Sequence, residues 1–365
     1  MPDLSRQLLE QVNNALSDNT ALSIQGNKTK SALGRSPQQE MTELAVSGHS
    51  GIVKYEPGEL VMTARAGTPL AEIDEALSGQ GQILACDPRR YAGQATLGGS
   101  LATHQSGPGR PWLGSLRDHV LGVRLINGKG EHLRFGGQVM KNVAGYDVSR
   151  LQAGAMGTLG VITEVSFKVL PKPDYSLTLS KQTGLVAGHQ LMKQLGGSTK
   201  PLTGMAWVDD CLYLRLQGSR QAVEATARQW QAEYQTETAD PEQGELFWLQ
   251  LREHELDFHQ QSEAGDGDKL WRYSVNPRTG PFMTGERWLF NWGGAQRWLR
   301  GGFDLEALTE HAEASGGEVC LYEGGDAEEE RMLMNNPALR RIQQNLKASL
   351  DPQGIFNPGK LFSWL

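Results

Sequence analysis

The sequence predicts an α+β protein of more than one domain, and three observations predict it. Short apolar or β-branched runs alternate with helical periods along the whole 365 residues, too long for a single ordinary domain. Forty-four residues are glycine, well above the roughly 7% average, and they crowd between Gly93 and Gly160. Seven of the nine tryptophans fall between Trp207 and Trp298, a composition shift that marks a second domain. Pro171-Lys172-Pro173 supplies the boundary, because two prolines end a strand and stiffen a linker. The expected organisation is 1–173 as one domain, 174–336 as a smaller Trp-rich α+β domain, and 337–365 as a helix and tail returning to the first.

Composition excludes several function classes. Thirty-five basic and 42 acidic residues give a formal net charge of −7, which argues against a nucleic-acid or anionic-membrane partner. Cys86, Cys211 and Cys320 are the three cysteines, far apart and in no CxxC pair. They exclude a disulfide framework, a Cys-rich zinc site and an iron–sulfur cluster held by this chain alone. No run approaches the roughly 20 apolar residues of a membrane span. The opening Met1-Pro2-Asp3-Leu4-Ser5-Arg6 lacks the basic and apolar regions of a signal peptide, so the expectation is a cytoplasmic protein.

Taken in order, Leu4, Leu8, Leu9, Val12 and Leu16 repeat with a helical period. Leu22-Ser23-Ile24 is a short strand running into the polar loop Gln25-Gly26-Asn27-Lys28-Thr29-Lys30. Residues 51–55 and 60–64 read as strands joined by the turn Glu56-Pro57-Gly58-Glu59. Thr68-Pro69 reads as N-cap and first position of a helix reaching Leu77. Residues 120–126 and 131–135, around Asn127-Gly128-Lys129-Gly130, form the clearest hairpin. Asp147 is a candidate cap for a short helix, and 161–170 is a strand. Beyond the prolines, strands are expected at 176–179, 205–208, 212–216, from Trp271, and at 318–322. Helices are expected at 185–195, 222–234, 305–314 and 337–350. This arrangement suggests two βαβ-like halves.

Three motifs carry chemistry. The loop 25–30 follows the first strand, and its backbone N–H groups, with Lys28, Lys30 and Arg35, suit a phosphate. It matches no Walker A pattern, no GxGxxG follows a strand, and a plain solvated loop fits equally well. Ala95-Thr96-Leu97-Gly98-Gly99-Ser100-Leu101-Ala102-Thr103, then Gly107-Pro108-Gly109, concentrates glycines where a backbone can approach a ligand. Gly154-Ala155-Met156-Gly157-Thr158-Leu159-Gly160-Val161-Ile162-Thr163 is a GxxGxxG entering a strand.

In this order, and with the 120–135 hairpin and Lys141-Asn142-Val143-Ala144-Gly145-Tyr146-Asp147, these motifs resemble the PCMH-type, or vanillyl-alcohol-oxidase, family of FAD-binding flavoproteins. The closing Asp351-Pro352-Gln353-Gly354-Ile355-Phe356-Asn357-Pro358-Gly359-Lys360 resembles its 2-hydroxy-acid dehydrogenase branch. Residues 51–60, Ala66-Gly67-Thr68-Pro69-Leu70 and 134–147 are similar to the FAD-binding E subunits of bacterial glycolate oxidases. The resemblance covers 20–173 and 340–365, and the region between only loosely. It implies a PCMH-type domain of two α/β subdomains, a smaller α+β cap, and non-covalent FAD. The pyrophosphate would lie on Gln25, Gly26, Asn27, Lys28, Thr29 and Lys30, with Thr96, Gly98, Gly99, Thr103 and Gly107 along the dinucleotide. Gly157, Gly160, Val161 and Ile162 would meet the adenine end or ribityl chain. It further implies oxidation of glycolate to glyoxylate beside a sister flavoprotein and an iron–sulfur subunit, with any membrane attachment peripheral and through those partners. A stand-alone D-2-hydroxy-acid dehydrogenase and a non-catalytic scaffold remain as alternatives.

Departures from the family pattern are equally informative. Ser47-Gly48-His49-Ser50-Gly51 imitates a flavin-linking string but lies too close to the Ala66 turn, so His49 reads as a surface or turn histidine. Gly265-Asp266-Gly267-Asp268 copies half of a metal-binding cap motif and lacks its histidine. His254 and His259 are five apart, off the i, i+4 spacing of a helical metal pair. Arg272, Arg287 and His311 are candidates for substrate contact that spacing does not single out, so no catalytic residue is assigned and no metal is expected. Trp288, Trp292 and Trp298 suit a core or a partner interface, and an interface is the expectation. Glu328–Glu330 reads as a helix N-terminus.

Overall fold

The computed structural model describes residues 3–36, 39–137, 147–260, 268–283 and 285–365. The chain divides into two compact units. The first comprises Met1–Gln105, Ser115–Pro171 and Asp326–Leu365, and the second Ser106–Gly114 and Lys172–Gly325. The return to the first unit thus comes at Asp326, where the Ser36 amide donates to Ala327 O and the Arg35 guanidinium to Glu328 O. Ser106–Gly114 belongs to the second unit because Trp112 packs on that unit's core.

In the first unit, β1 (Leu22–Gln25) and β2 (Thr42–Ala45) pair in parallel. Five further strands, β3 (Ile52–Glu56), β4 (Val61–Arg65), β6 (Val120–Ile126), β7 (His132–Gly136) and β8 (Val161–Lys168), form an antiparallel sheet ordered β3-β4-β8-β6-β7. A small pair, β5 (Gln82–Ile83) and β9 (Leu170–Pro171), sits apart from it. Central β8 is buried along nearly its whole length, and its polar residues are satisfied within the sheet, Thr163 by Arg124 O, Glu164 by the Arg124 guanidinium and Ser166 by Thr63. Leu8 and Val12 of helix Ser5–Asp18, Ile73 and Leu77 of Leu70–Ser78, and Leu97 and Leu101 of Leu97–Thr103 share the core with these strands. The sequence misses β2, whose only buried residue is Leu44, so no alternation announces it. Thr68 is not the helix cap. Pro69 takes that position, and the Thr68 hydroxyl accepts from the Gly51 amide at 2.9 Å, closing the turn from β4. Glu328–Glu330 is a turn rather than a helix start; the last helix is Pro337–Leu350, capped by Asn336 Oδ1.

Expected at a surface or turn, His49 is instead fully buried, and its Nδ1 accepts from the Leu4 amide at 3.0 Å. Burial lowers its pKa against the pull of Asp3, and Arg65 lowers it further. His132, bonded to Thr163 Oγ1 at 2.9 Å, is lowered by burial and by Arg124. A histidine held neutral in the fold stabilises it above its unfolded pKa of about 6.5 and loses that contribution as pH falls below it. Stability should therefore fall as pH drops below about 6.5. Melting curves of the wild type and His49→Asn check this: asparagine can still accept from Leu4 but cannot titrate, so its acid limb should be shallower. Equal limbs would exclude His49 as the cause.

The second unit is one eight-stranded antiparallel sheet. Its strands are β10 (Tyr175–Gln182), β11 (Leu202–Val208), β12 (Cys211–Gly218), β13 (Glu237–Thr238), β14 (Leu270–Ser274), β15 (Trp288–Asn291), β16 (Gln296–Arg300) and β17 (Glu318–Glu323). They lie in the order β13-β10-β12-β11-β15-β16-β14-β17. The first half, with helices Leu185–Gly196 and Arg220–Tyr234, is a βαββαβ unit. The second half holds one such crossover, β16 to helix Leu305–Ala314 to β17, with β14 between the two strands and antiparallel to both, and β15 pairs antiparallel on the other side of β16. The interface expected of Trp288, Trp292 and Trp298 is overturned. All three are buried, and their indole N–H groups are spent on Met283 O, Gly107 O and Gln296 Oε1.

Candidate FAD-binding site

β1 ends at Gln25, and the chain leaves the sheet through loop 25–30, turning at Lys28, whose φ is 58°. The amides of residues 26–30 belong to no helix or strand. Asn27 Nδ2 donates to Gln94 O at 2.9 Å, which ties this loop to the approach of Thr96. Thr96 caps helix Leu97–Thr103, its Oγ1 accepting from the Gly99 amide at 3.3 Å. Two residues later the Gly98 amide donates to Ala66 O at 2.8 Å. A third wall comes from 156–160, where Met156 and Gly157 both have positive φ.

The tail brings these walls together. The Leu22 amide donates to Ile355 O and the Asn357 amide to Leu22 O, so residues 355–357 run beside β1. The Asn357 side chain accepts from the Ile24 amide at 2.8 Å and donates to Met156 O at 2.7 Å, joining β1 to the third wall. Lys347 Nζ donates to Thr158 O, Asp351 Oδ2 and Phe356 O, all within 2.8 Å, and Asp351 accepts from the Ile355 and Phe356 amides.

The result is a cavity of about 270 Å³. Gln25, Gly26, Asn27, Lys28, Thr29, Lys30, Thr96, Gly98, Gly99, Thr103, Gly157, Gly160 and Ile162 all line it. Gly107 and Val161 do not. Gly107 lies in the second unit with its carbonyl on Trp292 Nε1, and the Val161 side chain is in the β8 core. Arg35, expected to add charge at this loop, lines it too, and beyond the expected set so do Met156, Asn357 and Lys360. The last two stand in the Asn357-Pro358-Gly359-Lys360 signature, which was the available signal for them.

The walls fit a dianionic dinucleotide. A Cβ on Gly26 would stand 2.7 Å from Thr96 Oγ1, one on Gly98 2.7 Å from Ala66 Cβ, and one on Gly157 2.7 Å from Asn357 Nδ2. The glycines therefore let the walls close on one another more tightly than a side chain would permit, and backbone N–H groups with lysines are the donor set that pyrophosphate needs. No histidine or cysteine is among the lining residues.

The remaining candidates lie elsewhere. Gly265-Asp266-Gly267 and 141–146 are outside the described residues, while Asp268 pairs with Arg300 at 3.0 Å. Asp147 caps its helix as expected, accepting from the Arg150 amide. His254 and His259 stack at 4.5 Å between centroids, edge-on to Trp298. His311 stacks on Phe282, and burial lowers its pKa. Among the described residues no group of three or more His, Cys, Asp or Glu is placed to hold a metal, and no helix is long and apolar enough to cross a membrane.

Comparison with known proteins agrees with this geometry. A family model for an FAD binding domain matches residues 1–136. Glycolate oxidase subunit GlcE of Escherichia coli is 44% identical over 365 residues, covering 100% of this chain and 99% of that one. Glycolate oxidase subunit GlcD of Bacillus subtilis is 30% identical over 154 residues, which is 42% of this chain and 33% of GlcD. Among solved structures, 4-ethylphenol oxidase from Gulosibacter chungangensis superposes with a TM-score of 0.71 at 16% identity, covering 98% of this chain and 87% of that one. The last comparison speaks for the fold alone. With similarity to GlcE over its full length, the chain belongs to the GlcE family of glycolate oxidase subunits, FAD-dependent flavoproteins with a PCMH-type domain.

Proposed function

We propose that this chain is the FAD-binding subunit of a multi-subunit glycolate oxidase, taking part in the oxidation of glycolate to glyoxylate. The observation that carries the reading is the cavity itself, in which the loop after β1, the Thr96–Gly99 turn, residues 156–160 and the tail meet in a chain that matches GlcE from end to end. When bound, FAD supplies a two-electron acceptor for an alcohol carbon. The chain's own part is to hold it. Amides of 26–30, which belong to no helix or strand, would be donors to the pyrophosphate, glycines at 26, 98 and 157 let the walls pack together, and Asn357 and Lys347 fix those walls. A lining without histidine or cysteine supports non-covalent attachment.

Oxidising glycolate releases two electrons and two protons. Cys86 is buried with its thiol pushed up to about 12, and Cys211 is buried and raised as well, so these cysteines suit packing. That supports an iron–sulfur partner as the onward electron carrier. Similarity to GlcD over 154 residues supports a sister flavoprotein of common ancestry. The assembly is assigned to the cytoplasm, with any membrane association through the partners.

The anaerobic visible spectrum of the purified chain tests this. A flavin spectrum that stays oxidised with glycolate, and bleaches once the partner subunits are added, is the expected result. Bleaching by the isolated chain would favour an independent 2-hydroxy-acid dehydrogenase. No flavin at all would favour a scaffold.

A further inference from the structure

Four cationic side chains line the cavity, and three are already engaged. Lys28 Nζ stands 2.6 Å from Glu43 Oε2. Lys30 lies over the Tyr91 ring at 4.8 Å and bonds to Thr29 Oγ1. Arg35 donates to the carbonyls of Glu328 and Gly359 and is 3.8 Å from Glu330 Oε2. Lys360 differs. Its Nζ donates to a neutral acceptor, Ser31 O, at 2.8 Å, and among the described residues no carboxylate lies within ion-pairing distance.

The position is fixed by its backbone. Lys360 O accepts from the Arg35 amide at 2.8 Å, and a Cβ on Gly34 would stand 2.6 Å from that oxygen. Lys360 is thus tied to the chain just beyond the polar loop; Lys28, Lys30 and Arg35 line the same cavity, Glu330 lies beside Arg35, and Arg331 is near enough to act on Lys360. Arg331 carries the same sign. A half-buried ammonium without a counter-ion carries a cost, and a bound anion offsets it. Burial, ahead of repulsion from Arg331, pushes this amine down to about 8.

We propose that Lys360 is the side chain that answers the negative charge of the bound dinucleotide, and that FAD binding is coupled to proton uptake at its amine. The inference rests on the FAD reading of the cavity. In the free protein above about pH 8 the amine is largely neutral, and it becomes an ammonium, taking one proton from solvent, as the anion arrives. Below about pH 7 it is protonated in both states, and affinity is flat.

The test is titration of flavin-stripped full-length protein with FAD from pH 6.5 to 9, by flavin fluorescence and by calorimetry in two buffers of different ionisation enthalpy. Wild type, Lys360→Arg and Lys360→Gln are compared, with folding followed by circular dichroism. For the wild type, Kd should rise above pH 8 towards about tenfold per pH unit, with close to one proton taken up per FAD. Lys360→Arg should bind as tightly at pH 7 and lose both the slope and the proton uptake. Lys360→Gln should bind at least about tenfold more weakly at pH 7, without a slope. A flat wild-type profile, or the same slope in Lys360→Arg, overturns the inference while leaving the cofactor reading intact. Folded protein that binds no FAD at any pH overturns both.

Discussion

Lys347→Ala is expected to destabilise the first unit by about 3–5 kcal/mol, the usual cost of stripping one partner from a buried ion pair. Lys347 is buried and 2.7 Å from Asp351, which is 1% exposed. Its ammonium also satisfies two carbonyls, Thr158 O and Phe356 O, which lose that partner in the variant. Thr158 sits between Gly157 and Gly160 on the cavity wall, so the loss should reach the cofactor: flavin content should fall with stability. Urea unfolding and the flavin-to-protein absorbance ratio measure the two effects. Combining Lys347→Met with Asp351→Asn removes both charges and keeps an acceptor for one of the Ile355 and Phe356 amides, which use different carboxylate oxygens, so it should recover only part of the loss. A single-variant cost below about 1 kcal/mol would mean that water reaches the pair and the clamp is incidental.

Gly67→Ala should cost about 3 kcal/mol and abolish cofactor retention, the upper range for inserting a methylene into a packed site. A Cβ there would meet Val46 O at 2.4 Å, Ser47 O at 2.6 Å and His49 O at 2.8 Å. All three are backbone atoms, so no rotamer change relieves the clash. Val46 and Ala66 line the cavity, and helix Leu97–Thr103 leans on Ala66 O, so the displacement passes directly into the dinucleotide's wall. Gly58→Ala is the matched control. It faces open space in the turn before β4 and should be neutral or slightly stabilising, by lowering the entropy of the unfolded chain. Thermal melts of the two variants separate a steric requirement at Gly67 from a general sensitivity to losing glycine.

How far each of these features can be read from sequence depends on the range of the interaction. The hairpin of β6 and β7 needs only neighbours: Asn127 Oδ1 accepts from the amides of Lys129 and Glu131, so the turn is written where it forms. The same holds for the cap by Asp147 and for the helical period of 337–350. Glycine spacing in Thr96–Gly99 and Gly154–Gly160 marks close backbone approach, and together with the order of motifs it identifies the fold family and FAD. β2 was missed because its one buried residue gives no pattern, and its existence depends on β1 lying alongside. Val161 continues a glycine motif and was expected, with its neighbours, to offer backbone groups; its side chain packs in the core and does not line the cavity.

Charge and burial were decided only by the tertiary structure. Sequence offers Lys28, Lys30 and Arg35 as equal cations beside the first strand, and folding engages each of them with Glu43, Tyr91 or main-chain carbonyls. The cation left for the cofactor, Lys360, arrives from more than 300 residues away, because the tail runs beside β1. His49 looks like a turn residue and is buried by the N-terminal helix; Trp288 and Trp292 look like an interface and are core. Local pattern and motif order determined what kind of protein this is, because turns, caps and glycine contacts are short-range. Which side chain faces the cavity, and in what state of charge, was settled by contacts between distant segments, which no local pattern encodes.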